Sequence, residues 1–164
     1  MSPVYCTFRV QLPSFGRHPT INHLKQLLMN NTQKVTVELK DGKFKLANAA
    51  KIEDLNPKAL IICAAAECAG YTIMHILRKD HIEPKRMEIT IEGTLDTPML
   101  APESQYVGFN VRYNIDCKNI CDQSTLSSAV RQAQEYQCGV IAMLRRIAPV
   151  SHDISIVSTE TIEV

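Results

Sequence analysis

The chain has 164 residues, which is enough for one domain whose core needs no disulfide or metal to hold it together. Its 18 basic and 17 acidic residues give a net charge of +1, which argues against a basic surface for nucleic acid or an anionic membrane. No apolar run approaches the length of a membrane span without a charge, and none forms a secretion signal. We therefore expect a cytoplasmic protein with small-molecule or protein partners, and mostly free thiols among its six cysteines.

The first half of the chain begins with alternating and helical patterns. Residues 3–12 alternate apolar and polar side chains, as a half-buried strand does, and residues 19–31 carry leucine and isoleucine at the spacing of a short helix. Residues 34–48 alternate again on both sides of Asp41-Gly42, a dipeptide that strongly favours a β-hairpin turn.

Residues 56–81 predict one long buried helix. Asn56-Pro57 suits its start, because proline in the first turn loses an N–H that has no partner there, and Glu83-Pro84 prevents its continuation. Cys68 lies at its middle, and at about 100° per residue its face is shared by Ile61, Ala64, Tyr71, Thr72 and His75.

The second half repeats the strand and helix patterns. Residues 86–96 and 106–117 predict a second antiparallel hairpin with one wet face and with Val107, Phe109, Val111, Tyr113 and Ile115 inward. Asp122 is a candidate N-cap for a second helix that Gly139 can divide. Its predicted inward residues are Leu126, Val130, Ala133, Gln137, Val140 or Ile141, Leu144 and Ile147, and the tail from residue 152 predicts a last strand. This order predicts an α+β fold in which two long helices cover one face of an antiparallel sheet.

The residues around two of the cysteines resemble those of a known family. The matching residues are Asn56-Pro57, Ala59-Leu60, Ala64-Ala65-Ala66 and Cys68 in the first helix, and Ala129-Val130, Gln132-Ala133, Glu135 and Cys138 in the second. This pattern resembles the OsmC/Ohr family, and residues 133–156 are most similar to its YhfA-like branch. The resemblance implies an OsmC-like domain over residues 34–164, preceded by an N-terminal extension over residues 1–33.

The resemblance also implies an assembly and a chemistry. Members form intertwined homodimers with their sites at the subunit interface, and the peroxidases among them reduce organic hydroperoxides in oxidative stress defence. By motif, Cys68 would be the peroxidatic cysteine, which becomes a sulfenic acid, and Cys138 the resolving cysteine, which forms a disulfide with it. An external dithiol such as a lipoyl group would reduce that disulfide, so we expect no resident cofactor and no metal.

The motif departs from that of the peroxidases around Cys68. The family glutamate after Asn-Pro is replaced by Lys58, and the arginine that it orients has no counterpart between Arg17 and Arg78. Lys58 or Arg17 is a candidate to supply the positive charge. Cys138 is followed by Gly139, where many members have proline.

Other residues near the thiols have two interpretations each. Glu67 is either a substitute for the family glutamate or a satisfied structural carboxylate, and His75 either lines the pocket of Cys68 or is an interface histidine. Arg131 and Arg145 belong to a solvated face unless one of them replaces the family arginine. Cys63 lies about 140° around the helix from Cys68 and is expected to be packing.

The sequence thus leaves two hypotheses of different classes. The first is a thiol peroxidase that uses Cys68 and Cys138. The second is a protein that has lost the peroxidase apparatus and binds a small apolar or thiol ligand at the dimer interface, because the arginine and glutamate of the family peroxidases are missing.

Overall fold

The computed structural model describes residues 31–160. The strand predicted at residues 3–12, nearly all of the helix predicted at residues 19–31, and Arg17 lie outside this part of the chain. The division into an extension and a main domain stays a prediction.

The described residues form a five-stranded sheet with helices on one face. The sheet has the order β2-β1-β3-β4-β5, and its strands are β1 (Thr32–Lys40), β2 (Lys43–Leu46), β3 (Arg86–Leu95), β4 (Tyr106–Cys117) and β5 (Val150–Ser158). The helices are α1 (Pro57–Leu77), α2 (Asp122–Gln132) and α3 (Gly139–Ile147), and a π-helical turn (Ala133–Gln137) follows α2. The predicted α+β class is confirmed.

The sheet is antiparallel except at one edge. Asp41 and Gly42 both have positive φ angles, 53° and 73°, which is the geometry of the tight turn predicted between β1 and β2. β5 pairs with β4 in parallel, so the expectation of an entirely antiparallel sheet is wrong at this pair. The reason is the long helical crossover between β4 and β5, which returns the chain in the same direction.

The two faces of the sheet differ as the alternation predicts. The inward side chains of β1, β3 and β4 are buried against the helices: Val35, Val37, Met87, Ile89, Ile91, Leu95, Phe109, Val111, Tyr113 and Ile115. The other face is polar, and there Glu92 pairs with Lys34 at 3.2 Å and also with Arg112.

The start of β4 does not follow the predicted alternation. The β3–β4 register shifts between Thr94 and Leu95, so that Tyr106 is buried and Val107 is 51% exposed. The prediction of an inward Val107 is therefore wrong, because a bulge inverts the alternation at this end of the strand.

Helix α1 is the predicted central helix. The Oδ1 atom of Asn56 accepts hydrogen bonds from the backbone N–H groups of Lys58 and Ala59, both at 3.0 Å, and so caps its start. The helix ends in a 3₁₀ turn and at His81, whose φ is 54°. It is apolar and long enough to cross a membrane by composition, but half of that window is buried inside the domain, as for a core helix.

The second helical region is less regular than predicted. Asp122 is the first helical residue rather than the N-cap, and its carboxylate accepts a hydrogen bond from Asn119 Nδ2 at 3.0 Å. The π turn holds more residues than an α turn and shifts the helical phase. Gln137, predicted inward, is exposed for this reason, and Gln134 and Cys138 are buried. The prediction is also wrong at Ile147, the last residue of α3, because the inward place after Leu144 is taken by Ala148.

Candidate functional site

Two thiols meet where α1 passes the end of the π turn. The Sγ atoms of Cys68 and Cys138 lie 3.3 Å apart, in a geometry that lets the Cys138 thiol donate a hydrogen bond to Cys68. Both are free thiols. Since a disulfide bond is about 2.05 Å long, an approach of about 1.3 Å would join them. The fold therefore brings together the two cysteines that the sequence singled out, 70 residues apart.

Cys68 is held by a regular helix. Its neighbours Ala65 and Ala69 are fully buried beneath it, and the Thr72 hydroxyl donates to the Cys68 carbonyl oxygen at 2.8 Å. Cys68 itself is only partly buried and lies on the edge of a groove. Its sulfur is therefore accessible to a small molecule.

Cys138 lies at a break between two helical segments. Its backbone N–H donates to the Ala133 carbonyl at 3.0 Å, which closes the π turn, and its own carbonyl accepts from the Ala142 N–H at 3.0 Å, which begins α3. Cys138 thus occupies the N-cap position of α3, at the positive end of a helix dipole. Its side chain is only 2% exposed.

Burial dominates the electrostatics of Cys138. Burial raises the pKa of the Cys138 thiol above its ordinary value of 9.0, and the neighbouring Cys68 raises it further. The backbone N–H groups of Ile141 and Val140, in the first turn of α3, partly offset this effect. Cys138 is consequently protonated at neutral pH.

The groove beside Cys68 is open and mixed in character. It encloses about 610 Å³ and is lined by Ala64, Glu67, Cys68, Tyr71, Thr72, His75 and Gln137. The rings of Tyr71 and Phe44 make a T-shaped contact, with centroids 5.1 Å apart, which supports the Tyr71 ring at the side of the groove. Such a groove can accept a small organic molecule next to the sulfur.

The supporting residues predicted from the sequence fall in different places. Glu67 and His75 both line the groove, and Glu67 is half-buried, with its Oε1 4.0 Å from the Sγ of Cys63. Lys58 is at the other end of the helix, about 15 Å of helical rise from Cys68. Its Nζ donates to the carbonyl oxygens of Ala101 and Pro102, at 2.9 and 3.1 Å.

No lysine or arginine lines this groove within residues 31–160. Arg145 instead donates from Nη1 to the Glu135 carbonyl at 3.2 Å, on the outside of the π turn, and Arg131 is exposed on α2. Neither arginine takes the place of the family arginine in this chain's own groove.

The remaining described cysteines are not part of the pair. Cys63 is buried, and burial followed by the charge of Glu67 raises the pKa of its thiol. Cys117 is buried and donates to the Asn119 carbonyl at 3.2 Å, while Cys121 is exposed. No cluster of histidine, cysteine and carboxylate side chains in the described part of the chain could hold a metal ion.

Two residues next to the thiols were missed from the sequence. The Tyr113 hydroxyl donates to Oε1 of Gln134 at 2.6 Å, and both side chains are buried. Burial raises the pKa of Tyr113, and Cys138 is close enough to raise it further. Tyr113 carried a usable signal, because a tyrosine in an inward row needs a partner for its hydroxyl. Gln134 carried no such signal, because the sequence predicted a regular helix through this segment.

Solved structures with the same fold are only distantly related in sequence. An OsmC-like protein of unknown function from Vibrio cholerae matches with a TM-score of 0.52 and 15% identity, over 75% of this chain and 84% of that one. A hypothetical protein from Aquifex aeolicus matches with a TM-score of 0.49 and 23% identity, over 74% and 95%. The organic hydroperoxide resistance protein OsmC from Legionella pneumophila matches with a TM-score of 0.47 and 22% identity, over 67% and 73%.

No curated protein matches this sequence. A family model described as OsmC-like protein matches residues 47–153, a range that includes both thiols of the pair and the break before α3. The chain belongs to the OsmC-like protein family.

Proposed function

We propose that this protein is a thiol-dependent peroxidase that reduces organic hydroperoxides with Cys68 and Cys138. The observation that carries the proposal is the 3.3 Å separation of their sulfur atoms beside an open groove. Membership of the OsmC-like family supports a redox or stress role. The Legionella pneumophila protein with a similar fold is named for organic hydroperoxide resistance, which agrees with this substrate class.

The proposed reaction has three steps. The Cys68 thiolate attacks one oxygen of the hydroperoxide, the O–O bond breaks, and the rest of the molecule leaves as an alcohol after taking up a proton. The Cys138 thiol then loses its proton and attacks the sulfur of the resulting sulfenic acid, whose S–O bond breaks. The disulfide forms, and the leaving hydroxide takes up a proton and departs as water. An external dithiol such as a lipoyl group reduces the disulfide by exchange and becomes a disulfide itself.

The different exposure of the two thiols supports this division of roles. Cys68 borders the groove, whereas Cys138 is 2% exposed and has Cys68 beside it. A substrate therefore meets Cys68 first. The raised pKa of Cys138 keeps that thiol protonated and unreactive until the sulfenic acid has formed next to it.

We extend the proposal to a cytoplasmic homodimer. Helix α1 exposes a row of large apolar side chains beside the groove: Leu60 (38%), Ile61 (46%) and Tyr71 (46%). A second copy packed on this row would bury it and cover the groove. Lys58 and Arg17 remain the candidates for a cation that reaches Cys68 in such a dimer.

A second candidate function is the binding of a small apolar or thiol ligand without turnover. It is favoured by the lack of a lysine or arginine in the groove lining of residues 31–160, because a nearby cation is what usually activates a thiol.

Turnover of cumene hydroperoxide with dihydrolipoamide distinguishes the two candidates. We expect the wild type and Cys63→Ser to consume the peroxide and Cys68→Ser to be inactive. Without the dithiol, Cys138→Ser should stop after one oxidation and hold a sulfenic acid that dimedone traps. A Cys68→Ser protein as active as the wild type would exclude the proposal. If no variant is oxidised, a rise in melting temperature with cumyl alcohol would support ligand binding instead.

A further inference from the structure

The π turn before Cys138 is tied to the sheet by one buried hydrogen bond. The Oε1 atom of Gln134, the second residue of the turn, accepts a hydrogen bond from the Tyr113 hydroxyl on β4 at 2.6 Å. Tyr113 is fully buried and Gln134 is 1% exposed. This contact joins the turn to β4, an inner strand of the sheet.

Burial of the Gln134 side chain lowers the stability of the fold. Its Nε2 is buried and has no hydrogen-bond partner within the described residues. An unsatisfied buried donor costs free energy, and an apolar side chain of the same shape would avoid that cost. Packing alone therefore does not explain a glutamine at this position, whereas the bond from Tyr113 to its carbonyl oxygen does.

The turn determines where the thiol points. The Cys138 N–H bonds to Ala133, five residues back, so the segment holds one residue more than an α-helical turn. In a regular helix each residue is rotated by about 100° from the one before. Continuing α2 as an α-helix would thus turn the Cys138 side chain away from Cys68. π turns inside α-helices occur frequently at functional sites.

We infer that Tyr113 and Gln134 are positioning residues for the thiol pair, because their hydrogen bond fixes the π turn that holds the Cys138 sulfur against the Cys68 sulfur. The inference uses the same two thiols as the proposed function. It concerns their geometry, and it can be tested by thiol–disulfide exchange without any hydroperoxide.

The test is the equilibrium of the full-length protein with glutathione. Cys68 and Cys138 lose two protons and two electrons to form the disulfide, and one oxidised glutathione takes them up to give two reduced glutathione molecules. The fraction of linked Cys68–Cys138 is measured by acid quench, alkylation and peptide mapping at several glutathione ratios. We call the equilibrium constant for forming the Cys68–Cys138 disulfide the closure constant. We expect Tyr113→Phe to lower it about five- to tenfold.

Tyr106→Phe is the matched control. Tyr106 is also a buried β4 tyrosine, and its hydroxyl donates to the Lys58 carbonyl at 2.8 Å, away from the thiols. Both substitutions remove a buried hydroxyl and should lower the melting temperature. Only Tyr113→Phe should change the closure constant, and Gln134→Met should reproduce its effect without altering a tyrosine.

Two results would overturn the inference. One is a closure constant for Tyr113→Phe and Gln134→Met within twofold of the wild type; the other is an equal loss in Tyr106→Phe. A wild type that closes its disulfide in glutathione, but never reacts with a hydroperoxide, would remove the proposed function and leave the positioning role intact.

Discussion

The two helical segments that carry the thiols are built in contrasting ways. Helix α1 is a regular helix of 21 residues with a capped start, and Cys68 has a fixed place on one of its faces. Cys138 lies where a π turn ends and α3 begins. The contrast indicates that a regular helix presents a residue to a groove, while a break in a helix lets a second residue leave the regular spacing and approach the first.

The largest effect should come from making the second segment regular. Deleting Tyr136, which is 81% exposed in the π turn, shortens the turn by one residue and rotates Cys138 away from Cys68. We expect glutathione to form no more Cys68–Cys138 disulfide than in Cys68→Ser. Tyr136→Ala, which keeps the chain length, should close its disulfide normally. Normal disulfide formation in the deletion variant would mean that the π turn is not needed to bring Cys138 to Cys68.

The buried position of Cys138 predicts a strong pH dependence of its reactivity. A pKa above 9.0 means that less thiolate is present at pH 8 than in the unfolded chain, and that the thiolate fraction grows as pH rises through 9 and beyond. In Cys68→Ser, we expect the rate of iodoacetamide labelling of Cys138 to increase about tenfold per pH unit from pH 7 to 9. The control is the same protein unfolded in urea, where the labelling rate should level off at a lower pH. Equal pH profiles in the two states would mean that burial does not control the reactivity of Cys138.

A pair of glycine substitutions compares the packing of the two segments. Gly70 of α1 lies against the ring of Phe44, which occupies the space that a Cβ would need, whereas nothing lies within 4 Å of a Cβ at Gly139. We expect Gly70→Ala to lower the free energy of unfolding by about 1–3 kcal/mol. Gly139→Ala should be close to neutral. Urea denaturation measures both, and equal effects would show that α1 is no more tightly packed than α3.

The smallest effect should come from the cap of α1. Asn56→Ala removes the acceptor for the N–H groups of Lys58 and Ala59, and we expect a loss of about 1 kcal/mol in urea denaturation. Asn56→Asp keeps the acceptor and should retain most of the stability. A loss in Asn56→Asp as large as in Asn56→Ala would point instead to the bond from Asn56 Nδ2 to Gln33, at 2.7 Å.

Regular elements could be predicted from the sequence because their signals are local. The Asp41-Gly42 turn, the start of α1 at Asn56-Pro57 and the strands β3 and β4 each follow from a period or a dipeptide within a short window, and the structure confirms them. The sequence also indicated that the second helix can be divided near Gly139, but it did not indicate a π turn.

The rest depends on irregular or distant features. The reversal at Tyr106 and Val107 comes from a bulge in the pairing with β3, and the parallel edge strand depends on how the helices cross the sheet. The π turn has no period of its own, so the predicted inward phase was wrong within it, at Gln137. For the same reason no local pattern gives the distance between Cys68 and Cys138.

Peptide mapping after peroxide treatment shows whether Cys68 and Cys138 form a redox pair. The reduced full-length protein is mixed with one equivalent of cumene hydroperoxide, quenched with acid, alkylated and digested. We expect a disulfide that links the Cys68 and Cys138 peptides to be the main product. An unmodified Cys68 thiol, or a disulfide that joins other cysteines, would contradict it.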